Sequence, residues 1–114
     1  MSGFIKISKQ YLQQLIQGIS PSEETIPPQS ISAGASTTLK DTGTSTIPYA
    51  IVLFQGDGDS AIRYDITVGN TTYSLYANEI GILVVVNSTL KIVAVNTDTA
   101  SAHNTGTIVI ARVA

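Results

Sequence analysis

Hydrophobic positions recur along this chain at two different periods. Between Ile62 and Val68 they alternate, with Ile62, Tyr64, Ile66 and Val68 set against Arg63, Asp65 and Thr67. Period two is the signature of a strand with one buried face and one wet face. Gly69-Asn70 is a turn signal, and from Thr72 to Ala77 the alternation resumes through Tyr73, Leu75 and Ala77, so the two segments read as a hairpin. Ile82 to Val86 is apolar at every position, which predicts a central strand covered on both faces or packed at an interface. Asn87-Ser88 permits a tight turn, after which Leu90, Ile92 and Ala94 alternate with Lys91, Val93 and Val95. A polar loop from Asn96 to Gly106 leads to a last strand, Thr107 to Val113. Upstream, Tyr49 to Phe54 is strongly apolar and follows Pro48, a residue tolerated at a strand start or an edge, and Ser30 to Ala33 and Ser36 to Lys40 are minor candidates.

The second period is helical. Leu12, Leu15, Ile16 and Ile19 recur at spacings of three and four while Gln10, Gln13, Gln14 and Gln17 hold the opposite side, which predicts a short amphipathic helix over Lys9 to Gln17. Ser8 suits its N-cap and Gly18 its C-terminal left-handed residue. So short a helix is unstable alone in water. Its apolar face, with Tyr11, Leu12, Leu15 and Ile16 as the contact residues, is expected to dock on its own domain or on a neighbour. Pro21, Pro27 and Pro28 and the Glu23-Glu24 pair then read as a linker or extended arm. The expected organisation is therefore an N-terminal helix and arm over residues 1–29 and a β domain over residues 30–114. That domain is a single antiparallel sandwich of about seven or eight strands, with a jelly roll favoured over an immunoglobulin-like arrangement.

Composition agrees with an all-β reading and adds a clue about surroundings. Ile, Val and Thr, the residues that suit a pleated surface, supply a third of the 114 positions. Charged residues are 12% of the chain, about half the usual share, so Ser, Thr and Asn take solvent-facing positions where Lys and Glu are commoner. The net charge of -2 leaves no basic excess for a phosphate backbone, so nucleic acid is not an expected partner. Cysteine is absent, which removes disulfides and thiolate chemistry. No signal peptide is visible at the start, because Lys6, Lys9 and Gln10 interrupt any apolar run. No stretch reaches the roughly 18 to 20 apolar residues of a membrane span.

Candidate chemistry is sparse. His103, the single histidine, lies in a loop of small polar residues and reads as solvated, with no motif tying Asp98 to it or to Ser101. Asp57 and Asp59, in Gly56-Asp-Gly-Asp-Ser60, make a start toward calcium ligation, but no further ligand follows in register. A turn, with Gly supplying positive φ and Asp bonding its own backbone, accounts for the same residues. Asp65 and Glu79 form no recognisable glycosidase pair, and the glycines make neither a dinucleotide fingerprint nor a phosphate loop. Tyr76 is the aromatic best placed for exposure, whereas Tyr64 and Tyr73 share the buried parity of their strands. Asn70-Thr-Thr and Asn87-Ser-Thr match the glycosylation acceptor pattern and, without a signal peptide, read as chance occurrences.

Taken together, the helix over Lys9 to Gln17, the Pro21 to Pro28 arm and the hydroxyl-rich strands from Tyr49 to Val113 resemble the small β-sandwich structural proteins of virions, of capsid, vertex or head-decoration type. The resemblance implies a non-enzymatic protein that is made in the host cytoplasm and resides in the virion. Its partners would be copies of itself and other virion structural proteins, with no cofactor. A carbohydrate-binding or adhesive sandwich using Tyr76, Asp57 and Asp59 is the alternative, with a glycan as partner.

Overall fold

A computed structural model of the chain describes residues 22–112. The helix expected over Lys9 to Gln17, with Tyr11, Leu12, Leu15 and Ile16, lies outside the described residues. Within them the structure is all-β, with ten strands in antiparallel sheets.

The strands are β1 (Ser22–Ile26), β2 (Ser30–Ile31), β3 (Ser36–Asp41), β4 (Ile47–Gln55), β5 (Ile62–Val68), β6 (Thr71–Tyr76), β7 (Ile80–Ser88), β8 (Leu90–Asn96), β9 (His103–Asn104) and β10 (Ile108–Arg112). One four-stranded sheet runs β1-β10-β4-β7, the other β3-β8-β5-β6, and β2 pairs with β9 between them in the chain path. Five of the pairings nest about a single turn. At the centre, β5 and β6 join through Gly69-Asn70, with Val68 opposite Thr71. Around them pair β4 with β7, β3 with β8, β2 with β9 and β1 with β10. Residues 22–112 thus form one long antiparallel ribbon doubled back on itself. Two further pairings, β10 with β4 and β5 with β8, roll the ribbon into two sheets.

The turn at the centre of the ribbon has a local cause. Gly69 has φ +60°, the conformation that the first central residue of a type II′ hairpin turn requires and that a Cβ disfavours. The alternation read from the sequence then sets which faces meet. Ile62, Tyr64 and Ile66 on β5, Leu75 on β6 and Leu90, Ile92 and Ala94 on β8 are buried and join one cluster with Ala50, Val52 and Phe54 of β4, Leu83 and Val85 of β7 and Ile108 and Ile110 of β10. Both four-stranded sheets therefore contribute to a single core, giving a sandwich-like fold. Phe54 and Tyr64 meet across it with ring centroids 5.5 Å apart, a tilted aromatic contact from one sheet to the other.

The two outward faces differ. On the β3-β8-β5-β6 sheet the outer positions mix polar and apolar groups: Arg63 holds Asp65 through two hydrogen bonds of 2.9 and 3.1 Å, Thr67 meets Thr72 at 3.1 Å, and Val95 and Val93 are the register partners of Arg63 and Asp65. The outer side of β10, β4 and β7 in the other sheet is largely apolar, and Leu53, Ile82 and Val109 form a second buried cluster there, with Leu53 only 1% exposed.

Three expectations change. Ile82 to Val86 lies in β7, at the edge of its sheet among the described residues rather than at its centre. Its two-sided apolar character follows from Leu83 and Val85 facing the core while Ile82 joins the outer cluster. Asn87-Ser88 is not a tight hairpin turn: both lie within the last residues of β7, Asn87 at φ +47°, before the chain passes to β8 in the other sheet. Finally, Ser22–Ile26, inside the proline-flanked stretch read as an arm, is a strand that pairs along its whole length with β10.

Candidate functional site

The polar residues singled out by the sequence converge at one end of the sandwich, where the Gly56–Ser60 loop between β4 and β5 crosses the chain from Asn96 to Thr107. The approach is close because glycine faces glycine. A Cβ on Gly58 would fall 2.7 Å from Ala77 Cβ and 2.8 Å from the Thr105 carbonyl carbon, and one on Gly106 would fall 2.8 Å from the Gly58 nitrogen. No side chain fits between the two backbones.

Around this crossing the carboxylates act as staples. The Asp57 Oδ1 accepts the Thr107 N–H at 2.7 Å and its Oδ2 accepts the Thr107 hydroxyl at 2.7 Å. Asp59 Oδ2 accepts the Asn104 N–H at 2.8 Å, and the Asp59 N–H donates in return to the Asn104 carbonyl at 3.0 Å. Both aspartates therefore bond residues some 45 to 50 positions along the chain, where the sequence suggested a role within their own turn. Gly56 does supply positive φ, at +71°.

His103 is not the isolated loop residue its neighbours imply. Its Nε2 lies 2.9 Å from Asp98 Oδ2 and its Nδ1 lies 3.4 Å from Asp59 Oδ2. Two carboxylate acceptors favour a proton on each ring nitrogen, that is, the imidazolium. The hydrogen bond to Asp98 accordingly raises the His103 pKa above its ordinary value, with Asp59 adding to the effect. The same bond, with the Ala100 N–H that donates to Asp98, lowers the Asp98 pKa. Asp98 is five residues away and reaches His103 because the loop folds back. Asp59 arrives from another loop, and nothing local in the sequence marks it.

Two buried polar groups complete the end of the sandwich. Asn96, 2% exposed, donates its amide to the carbonyls of Ile31, Ser32 and Ser101 at 3.1, 3.3 and 2.9 Å, and its Oδ1 accepts the Asp98 N–H at 2.9 Å. Its side chain ties the end of β8 to the end of β2 and to the loop that follows β8. The Tyr64 hydroxyl accepts the Gly106 N–H at 2.7 Å, and burial pushes its pKa up to about 12, so it stays protonated. Neither role was legible in advance: Asn96 reads as a loop start and Tyr64 as core filling.

Chemically, this cluster is built to hold loops together. The carboxylates of Asp57 and Asp59 and both nitrogens of His103 are engaged by partners within the protein. No group of three or more His, Cys, Asp or Glu poised to hold a metal ion occurs among the described residues. Tyr76, exposed at 42%, ends β6 at this same end, next to Ala77, whose carbonyl accepts the Gly58 N–H at 3.0 Å. No helix among the described residues is long and apolar enough to cross a membrane. Comparison of the chain with protein-family models, with curated proteins and with solved structures gives no match.

Proposed function

We propose that the chain is an eight-stranded jelly roll serving as a non-enzymatic structural component of a virion, assembling with copies of itself and attaching through its N-terminal segment. The observation that carries the reading is the nested strand order. Setting aside the two-residue strands β2 and β9, the eight longer strands form two four-stranded sheets in which first pairs with last, second with seventh, third with sixth and fourth with fifth. A ribbon rolled in this way is the jelly-roll arrangement, an architecture used by viral capsid proteins as well as by lectins and cupins. Fold alone leaves function open. The charge-poor composition supports the structural reading, as does the commitment of Asp57, Asp59 and His103 to internal staples. Those staples also weigh against the carbohydrate-binding alternative, which draws on the same aspartates.

Light scattering coupled to size exclusion tests the proposal. The full chain is expected to form a defined oligomer or larger assembly. A truncation beginning at Ser22, which retains β1, is expected to lose attachment to larger virion components. A full chain that stays monomeric at high concentration and binds on a glycan array would replace this reading with the alternative.

A further inference from the structure

The two lateral sides of the sandwich are built differently. On one side lie the edge strands β1 and β3. They carry Glu23, Glu24, Lys40 and Asp41, β3 is interrupted by a register shift between Thr38 and Lys40, and Lys40 Nζ bridges to Glu24 Oε1 at 2.8 Å across the gap between the sheets. Charges and bulges on an edge are the devices by which sheets avoid pairing with other chains. On the opposite side lie β6 and β7, and neither carries a charged residue. Over nine residues β7 has a paired neighbour, β4, on one side only among the described residues. Beside it are the two most exposed apolar residues of this sheet, Val86 at 51% and Tyr49 at 41%, which are register partners across β7 and β4. Between β6 and β7 the sheets part to leave a groove of about 220 Å³, lined by Val68, Tyr73, Leu83, Val84 and Val86 together with Thr71 and Ser88.

We propose that β7 is an assembly edge that pairs antiparallel with β7 of a second copy about a two-fold axis at Val84. The inference rests on the self-assembly reading above and names the surface involved. A strand edge with no partner among the described residues presents a row of backbone donors and acceptors that another extended strand can pair. A second copy fits because β7 has no charge to repel its own image. Centring on Val84 also pairs the extended core of the strand with itself: Ile82 faces Val86, Leu83 faces Val85, and Val84 faces itself. Side-chain parity is preserved, so the outward β-branched row continues across the axis and covers Val86.

The test uses the full chain and three variants. Val84→Cys introduces the sole thiol, and cross-strand residues at a two-fold axis fall within the Cα separation that a disulfide tolerates. Oxidation is expected to give a covalent dimer in high yield. Val86→Lys places an ammonium on an exposed position, so folding is retained, and it is expected to weaken association roughly ten-fold or more by light scattering. Thr25→Lys, exposed on the guarded edge strand β1, is expected to leave association unchanged. An assembled chain whose association is indifferent to Val86→Lys, or whose Val84→Cys form does not cross-link, overturns the inference while self-assembly stands. A chain monomeric at every concentration overturns self-assembly itself.

Discussion

At the scale of single residues, the end of the sandwich is held by groups whose value lies in their partners. Tyr64 is the clearest case. Its ring packs on Phe54 and its hydroxyl accepts the buried Gly106 N–H. Tyr64→Phe keeps the ring and orphans the N–H, so we expect a loss of about 1 to 3 kcal/mol in chemical denaturation. His103 gives a pH-dependent counterpart. Its pKa is raised above the ordinary 6.5, so its contribution is complete below pH 6.5 and is lost as pH rises through the folded value. The Asp98 pKa is lowered from the ordinary 3.8, so that contribution is present above pH 3.8 and lost as pH falls through the folded value. The melting temperature of the wild type should therefore exceed that of His103→Gln most between pH 3.8 and 6.5, with the gap closing in more alkaline buffer. A gap that widens above pH 8 would remove the staple from the account. The burial of Tyr64 was legible because its neighbours alternate. The bond of its hydroxyl was not, because Gly106 is 42 positions away.

Among the elements, legibility followed whether a pattern is local. The β5–β6 hairpin could be read because alternation, glycine and alternation follow one another within 15 residues. Strand β1 could not, since the prolines that suggest an arm flank Ser22–Ile26 without interrupting it, and an edge strand tolerates such neighbours. The apolar run in β7 announced burial on two sides but gave no sign that the strand lies at the edge of its sheet among the described residues. The loop crossing depends on backbone contact, and glycine there looks like any turn glycine. Gly58→Ala tests it: the added methyl meets backbone on the opposing loop and the Ala77 methyl, so a loss of about 1 to 3 kcal/mol is expected. Gly58 is not among the glycines with positive φ, so a loss of this size would report crowding rather than backbone strain. A neutral effect would mean that the loops separate at little cost.

For the whole molecule, the nested ribbon implies an order of assembly. The β5–β6 pair closes a loop of two residues, and each pair farther out encloses all those within it, with β1 and β10 outermost. Loop closure costs more entropy the longer the loop, and inner pairs shorten the effective loop for outer ones. Folding that begins at the Gly69 turn and zips outward therefore avoids most of the penalty that makes all-β topologies slow. Two substitutions separate this route from its reverse. Leu75→Ala, in β6, removes buried contacts formed early, so the folding rate should fall roughly ten-fold or more. Ile26→Val, in the outermost strand, costs about 1 kcal/mol and should raise the unfolding rate about five-fold with the folding rate unchanged. Stopped-flow chevrons on both variants decide the matter. If Ile26→Val slows folding while Leu75→Ala affects only unfolding, closure starts at the outer strands, and the small charge-bridged edge formed by Glu24 and Lys40 would be its nucleus instead of its last seal.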